Sequence, residues 1–280
     1  MRTRAYLGAA VLAAVSLPTA QRPSAVHAHG VTWQREGPGI DQTVIDVRGG
    51  GEGWNTRVVA VRVDPTVFRF RLTARIQGVF PGWSVDQAPD RAVVATNTGQ
   101  FTGITPWGWV VMHGREIRPP GRGPLSTAIA WDKTGRVRWL EANEIDAERA
   151  RGEITEAFQS YPTLLKVRGQ IPREIRERGL GVDVDHHDGR LAIGVLEDGR
   201  VILSITRFNG LGDVIPSVPL GLTLAEMAEV MRGLGCVRAV SLDGGVSAQM
   251  LLQVNGQRQL WRGWRSVPLG LVAEPVRQAN

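Results

Sequence analysis

Cysteine is almost absent from this 280-residue chain. Cys236 stands alone, so no intramolecular disulfide can brace the fold and stability must come from a buried core. It lies in an apolar run, where a thiol behaves as an inert small hydrophobe. Lysine is nearly as scarce: Lys133 and Lys166 are the only two, and the remaining basic residues are arginines scattered along the chain. That scatter provides no contiguous basic stripe of the kind a nucleic-acid partner requires, so none is expected. Long apolar runs are also missing apart from residues 5–17, which fall short of the roughly 20 residues of a membrane span. Arg2 and Arg4 precede that run and Val26-His27-Ala28 follows it, the pattern of a secretory signal peptide over residues 1–28. Its loss would remove Arg2, Arg4 and Arg22 and no acid, lowering the formal net charge from +6 to +3. The mature chain, 29–280, is expected to be exported, periplasmic or secreted, and not stably inserted in a membrane.

Short alternating strands separated by turn signals make up most of what is present. Residues 57–63 and 67–73 flank Asp64-Pro65, which predicts a hairpin or tight corner. Residues 109–112 form a second hairpin with those after Gly114, and 128–131 pair with 137–140 across Asp132-Lys133-Thr134-Gly135. Residues 191–196 and 201–206 enclose Glu197-Asp198-Gly199, and 250–254 and 257–261 enclose Asn255-Gly256. The Pro- and Gly-rich stretch 115–124 reads as a loop. The best helix runs over 224–234, with Leu224, Met227, Val230, Met231 and Leu234 on one face and Thr223 with Glu226 as a capping box. Weaker helical segments span 143–151 and 172–178. Strands and helices without regular βαβ alternation give an α+β fold: one domain with a mixed, largely antiparallel sheet core and a few packed helices.

Three constellations could carry chemistry. The stretch Ser241 to Met250, S-L-D-G-G-V-S-A-Q-M, puts a carboxylate, two glycines and a hydroxyl at the end of the apolar run 236–242. Alone it is a tight turn as readily as a site. Ser247 lacks the second glycine of a nucleophile elbow, and no histidine stands in a recognisable triad context, so a serine hydrolase is disfavoured. The run Asp183-Val184-Asp185-His186-His187-Asp188 gathers potential metal ligands. Asp-His-His resembles the DHH phosphoesterases, but the further ligands those enzymes need are missing, and a charged loop is the simpler reading. Its carboxylates leave a divalent cation open, with no ligand set assigned.

The third constellation is spread over the chain. Asn97-Thr98-Gly99-Gln100-Phe101 follows an apolar strand, and Gly189-Arg190-Leu191-Ala192-Ile193-Gly194 opens the long hairpin. Gly221-Leu222-Thr223-Leu224-Ala225-Glu226-Met227-Ala228 starts the helix, and Leu242-Asp243-Gly244-Gly245-Val246-Ser247 closes the series. In this order the four resemble the N-G-G-F-F, R-T-A-I-G, G-x-T-L-x-E-x-A and L-D-G-G-G-S motifs of the phosphodiester glycosidase family, over about residues 90–270. Thr98, Gln100, Leu191 and Val246 depart from those patterns, while the polar positions are kept.

The resemblance implies hydrolysis of a sugar 1-phosphodiester, here in an envelope or extracellular glycan; no cofactor is expected beyond the unassigned divalent cation. The leaving group would be a phosphate monoester with a second pKa of about 6, which departs far more easily than an alcohol. The chemistry then needs a cationic clamp on the phosphoryl oxygens and support for an oxocarbenium ion. Arg190 suits the clamp, and the Gly244 and Gly245 amides with the Ser247 hydroxyl could form an anion nest. Asp243 would act at the anomeric carbon as nucleophile, base or hydroxyl ligand. Asn97 could bind substrate or cap a turn; Thr98 is a weaker candidate. Gln159, Ser160 and Pro162 could line the pocket, and Trp107, Trp109, Trp261 and Trp264 lie near loops where a ring could stack on a sugar. Two rivals stand beside this reading: a non-catalytic glycan-binding module on the same scaffold, and a metal-dependent phosphoesterase using Asp185, His186 and His187.

Overall fold

The computed structural model describes residues 31–48, 55–74, 82–208 and 221–276; the expected signal segment lies outside them. Three antiparallel sheets surround one core. The largest has seven strands in the order Gln34–Gly37, Ile40–Arg48, Asn55–Val63, Val201–Phe208, Leu191–Val195, Arg238–Ser241 and Thr163–Leu165. A five-stranded sheet is centred on Ile154–Ser160, flanked by Thr127–Asp132 and Val110–Met112. The other five-stranded sheet has Val94–Asn97 at its centre, between Met250–Val254 and Gly270–Pro275. A two-stranded hairpin, Phe101–Thr102 with Thr105–Pro106, stands apart from them.

The central strands of the seven-stranded sheet are buried on both faces, so their sequences read as unbroken apolar runs rather than alternations. Val59, Val61 and Val63 face the central core with Leu203, Ile205, Phe70, Trp131 and Met250. Val58, Ala60 and Ile202 face the opposite way, against Met227, Val230 and Met231 of the helix Leu224–Gly233. That helix starts as expected: the Thr223 hydroxyl accepts from the Glu226 amide, and the Glu226 carboxylate accepts from the Thr223 amide. Cys236 is buried in the same layer, and burial pushes its thiol well above the usual range.

The four expected hairpins form, and Asp64-Pro65 takes the tight-corner alternative: Asn55–Val63 and Phe68–Thr73 join different sheets, because the chain turns out of one layer there. The strand Arg115–Arg118 occupies the start of the stretch read as loop, pairing with Val110–Met112. The expected helix over 143–151 is confined to Ile145–Arg151, and the one over 172–178 shrinks to a single tight turn, Arg173–Ile175, on which only Ile175 is buried. A segment that short cannot offset helix nucleation. Among the described residues no helix is long and apolar enough to cross a membrane.

Candidate active site

Where the sheets meet, the ends of several strands deliver the four motifs to one place. The strand Arg238–Ser241 runs into Asp243, whose amide donates to the Thr98 carbonyl (3.0 Å). The central strand Val94–Asn97 ends at Asn97, which is 1% exposed. Its Nδ2 donates to the Asp243 carbonyl (2.8 Å), and its Oδ1 accepts from the Gln249 amide (3.0 Å). Asn97 therefore spans the base of the 243–249 turn and spends both ends of its side chain on backbone. Thr98 is 3% exposed; its hydroxyl donates to the Leu269 carbonyl (3.3 Å).

The two glycines are required by contact. A Cβ on Gly244 would lie 2.5 Å from the Gly189 carbonyl oxygen, and Gly245 adopts φ +56° with its Cβ direction 2.7 Å from Asp188 Oδ2. The Gly245 amide donates to the Gly189 carbonyl (2.6 Å), which ties the turn to the Arg190 strand and takes this donor out of the expected anion nest. Ser247 is 1% exposed, and its hydroxyl accepts from Arg265 Nε (2.9 Å). That hydroxyl thus supports the turn from inside.

Arg190, Asp243 and Gly244 line one cavity of about 280 Å³, with Gln100, Tyr161, Asp183, His186 and Asp188. Asn97, Thr98, Gly245 and Ser247 are not among its lining residues. Burial raises the Asp243 carboxyl above the ordinary aspartate range; the Ser247 hydroxyl and the Arg265 guanidinium pull it down, and the Asp188 charge pushes it up. Among the described residues its Oδ2 is buried without a hydrogen-bond partner, and Arg265 Nη2 stands 3.9 Å from it, too far for one. Arg190 is fastened down: Nε donates to the Leu222 carbonyl (2.7 Å) and Nη2 to the His186 carbonyl. Burial lowers its pKa, with the charges of Asp188, Asp183 and Glu226 opposing.

Of the other residues singled out, Pro162 lines the cavity, whereas Gln159 is buried, with Oε1 accepting from the Trp109 amide (2.6 Å). The Ser160 hydroxyl donates to the Ser241 carbonyl. Trp107 stacks on Tyr161, ring centroids 6.1 Å apart, so that an exposed indole backs a cavity-lining phenol. The Asp-His-His run diverges. Asp185 pairs with Arg178 (2.7 Å), His187 Nδ1 bonds the Gly221 carbonyl (3.1 Å), and His186 Nε2 lies 3.7 Å from Asp188. Among the described residues no three His, Cys, Asp or Glu side chains are grouped to hold a metal ion.

Sequence reasoning missed Gln100, Tyr161, Asp183 and Asp188 as wall residues, though the two aspartates stood in the charged loop beside Arg190. It also missed two arginines that contact the 243–249 turn. Arg207 is 7% exposed, donates to the Thr206, Ala248 and Arg262 carbonyls, and has its pKa lowered to about 10 by burial. Arg265 holds Ser247 and lies over the Phe101 ring, 4.6 Å from its centroid. No motif marks either.

A family model described as phosphodiester glycosidase matches residues 90–274. The fold is similar to the catalytic domain of zebrafish N-acetylglucosamine-1-phosphodiester alpha-N-acetylglucosaminidase, auto-inhibited by its pro-peptide, at 17% identity and a TM-score of 0.65; the match covers 91% of this chain and 88% of that one. A hypothetical protein from Synechocystis is similar at 17% identity and a TM-score of 0.64, covering 89% of this chain and 64% of that one. A Burkholderia pseudomallei protein described as exported matches at 16% identity and a TM-score of 0.56, covering 81% and 75%. No curated protein matches in sequence.

Proposed function

We propose, from the premise that this chain belongs to the phosphodiester glycosidase family, that it is an exported hydrolase releasing the sugar from a sugar 1-phosphodiester. One observation carries the reading: Asp243, with its raised pKa and a buried oxygen unpartnered among the described residues, shares a cavity with Arg190, Asp188 and Tyr161. A buried carboxylate whose pKa is raised in this way suits proton transfer.

The sugar occupies the cavity, where Asp183 and Asp188 offer hydrogen bonds to hydroxyls and Tyr161, backed by Trp107, offers a ring. Water attacks the anomeric carbon. The bond from that carbon to the bridging oxygen breaks, and its electron pair leaves on the phosphate monoester. Asp243 takes the proton from water, and the charge of Asp188 supports the oxocarbenium-like carbon. Asn97, Thr98 and Ser247 act behind the cavity wall by fixing the turn that carries Asp243. Arg190 clamps the Asp188 loop to the helix start through the His186 and Leu222 carbonyls.

The test is product analysis on a methyl ester of a hexose 1-phosphate, in ¹⁸O-labelled water with EDTA present. The expected products are labelled free sugar and methyl phosphate, and Asp243→Asn should lower kcat by about 10²–10⁴-fold. Label recovered in phosphate, or a variant as fast as wild type, overturns the reading.

A further inference from the structure

The cavity that holds Asp243 is a poor place for a phosphoryl group. Its wall carries three carboxylates, Asp183, Asp188 and Asp243, against one guanidinium, Arg190, two of whose nitrogens are already bonded to backbone carbonyls. A phosphodiester anion there would meet like charge in partly buried surroundings. Sugar hydroxyls would meet acceptors.

Asp243 also neighbours a cation from outside that wall. Arg265 comes from the segment after the strand Gln257–Trp261 and is not among the residues that line the cavity. Three contacts fix its guanidinium: Nε donates to the buried Ser247 hydroxyl, the planar group lies over Phe101, and Nη2 stops 3.9 Å short of Asp243 Oδ2. About half the side chain, 52%, is still in solvent. A guanidinium has five N–H donors, and among the described residues only Nε is used in a hydrogen bond here. An arginine held by stacking and one anchoring bond, with half its side chain in solvent, is pre-organised for bidentate recognition of an oxyanion. Asp243 therefore lines an acidic cavity and also stands 3.9 Å from a half-exposed cation that is not part of its wall.

We propose that Arg265 binds the phosphoryl oxygens of the substrate, so that the sugar lies in the cavity, the phosphate over Arg265, and Asp243 at the bond between them. This rests on the hydrolase reading for its substrate, but the phosphate site can be measured without turnover. Inorganic phosphate is titrated calorimetrically into wild type and into Arg265→Gln, Arg265→Lys and Arg91→Gln; Arg91 is an exposed arginine paired with Glu274. Circular dichroism and thermal melts verify that each variant is folded.

Arg265→Gln should weaken phosphate binding at least about tenfold and Arg265→Lys less, because an ammonium keeps the charge but not the fork. Arg91→Gln should bind as wild type does. Kinetically, Arg265→Gln should raise KM for the methyl phosphodiester, and its loss in kcat/KM there should exceed by at least about tenfold its loss on a neutral aryl glycoside of the same sugar. Phosphate binding by Arg265→Gln equal to wild type, no phosphate binding by wild type, or equal kinetic losses on both substrates overturns the proposal. Phosphate bound through Arg265 without hydrolysis sinks the hydrolase reading alone. Hydrolysis indifferent to Arg265 sinks the phosphate site alone.

Discussion

The residues that depart from the family motifs have local explanations in the structure. Val246 stands where the pattern has a third glycine, yet it is not among the described residues with positive φ, and it is 40% exposed, so neither conformation nor space demands glycine there. Gln100 donates to the Tyr161 carbonyl (2.6 Å) and accepts from its amide (3.2 Å), docking the hairpin strand to a cavity wall where the pattern has an aromatic ring. Leu191 is fully buried in the central core, where the methyl groups of leucine pack and a threonine hydroxyl would need a partner. Asp243 itself costs stability. Its folded pKa lies above the unfolded value, so between the two the native state holds more protons, and stability falls as pH rises through that window. Asp243→Asn should accordingly raise Tm by a few degrees at pH 7 and lose that gain at pH values below the ordinary aspartate range, as a series of thermal melts would reveal. A gain independent of pH would mean that packing, not ionisation, is the cause.

At the scale of elements, the legible parts were those whose chemistry is local. Thr223 and Glu226 announce a helix start because a capping box acts over three residues, and the Glu197-Asp198-Gly199 and Asn255-Gly256 turns announce hairpins because strand pairing follows immediately. The Asp64-Pro65 corner was ambiguous because a turn signal says that the chain bends, not which sheet it enters. The site divides in the same way. Asp243, Gly244 and Arg190 lie beside strand ends in motifs, whereas Arg265 and Arg207 reach the turn across a fold whose layers are set by distant pairings, and no spacing records that. The 243–249 turn also has a strict requirement. An alanine at Gly245 meets both its positive φ and the Asp188 carboxylate, so Gly245→Ala should destabilise by about 1–3 kcal/mol in denaturant unfolding and displace Asp188 from the cavity wall, with loss of activity. Near wild-type stability would mean that the turn relaxes more easily than this geometry allows.

For the whole molecule, the residues matched by the family model are fewer than those the fold needs. The match begins at residue 90, but the strand Asn55–Val63 is paired along its length with Val201–Phe208, and Phe68–Thr73 is paired along its length with Gly270–Pro275. Val58, Val59, Ala60, Val61, Val63, Phe70 and Leu72 are all at most 2% exposed, and they serve both layers of the core. Burial of each larger side chain is worth roughly 1.5–3 kcal/mol, so their joint loss would match or exceed the roughly 5–15 kcal/mol by which a domain of this kind is stable. The exposed edges of Val201–Phe208 and Gly270–Pro275 would then offer unpaired strands to other chains. A fragment comprising residues 90–280 should therefore aggregate or lack a cooperative thermal transition, while one beginning at residue 31 should melt cooperatively. The shorter piece holds every motif residue and both arginines of the turn, so soluble, active 90–280 would mean that the site forms without the two strands that close the core behind it.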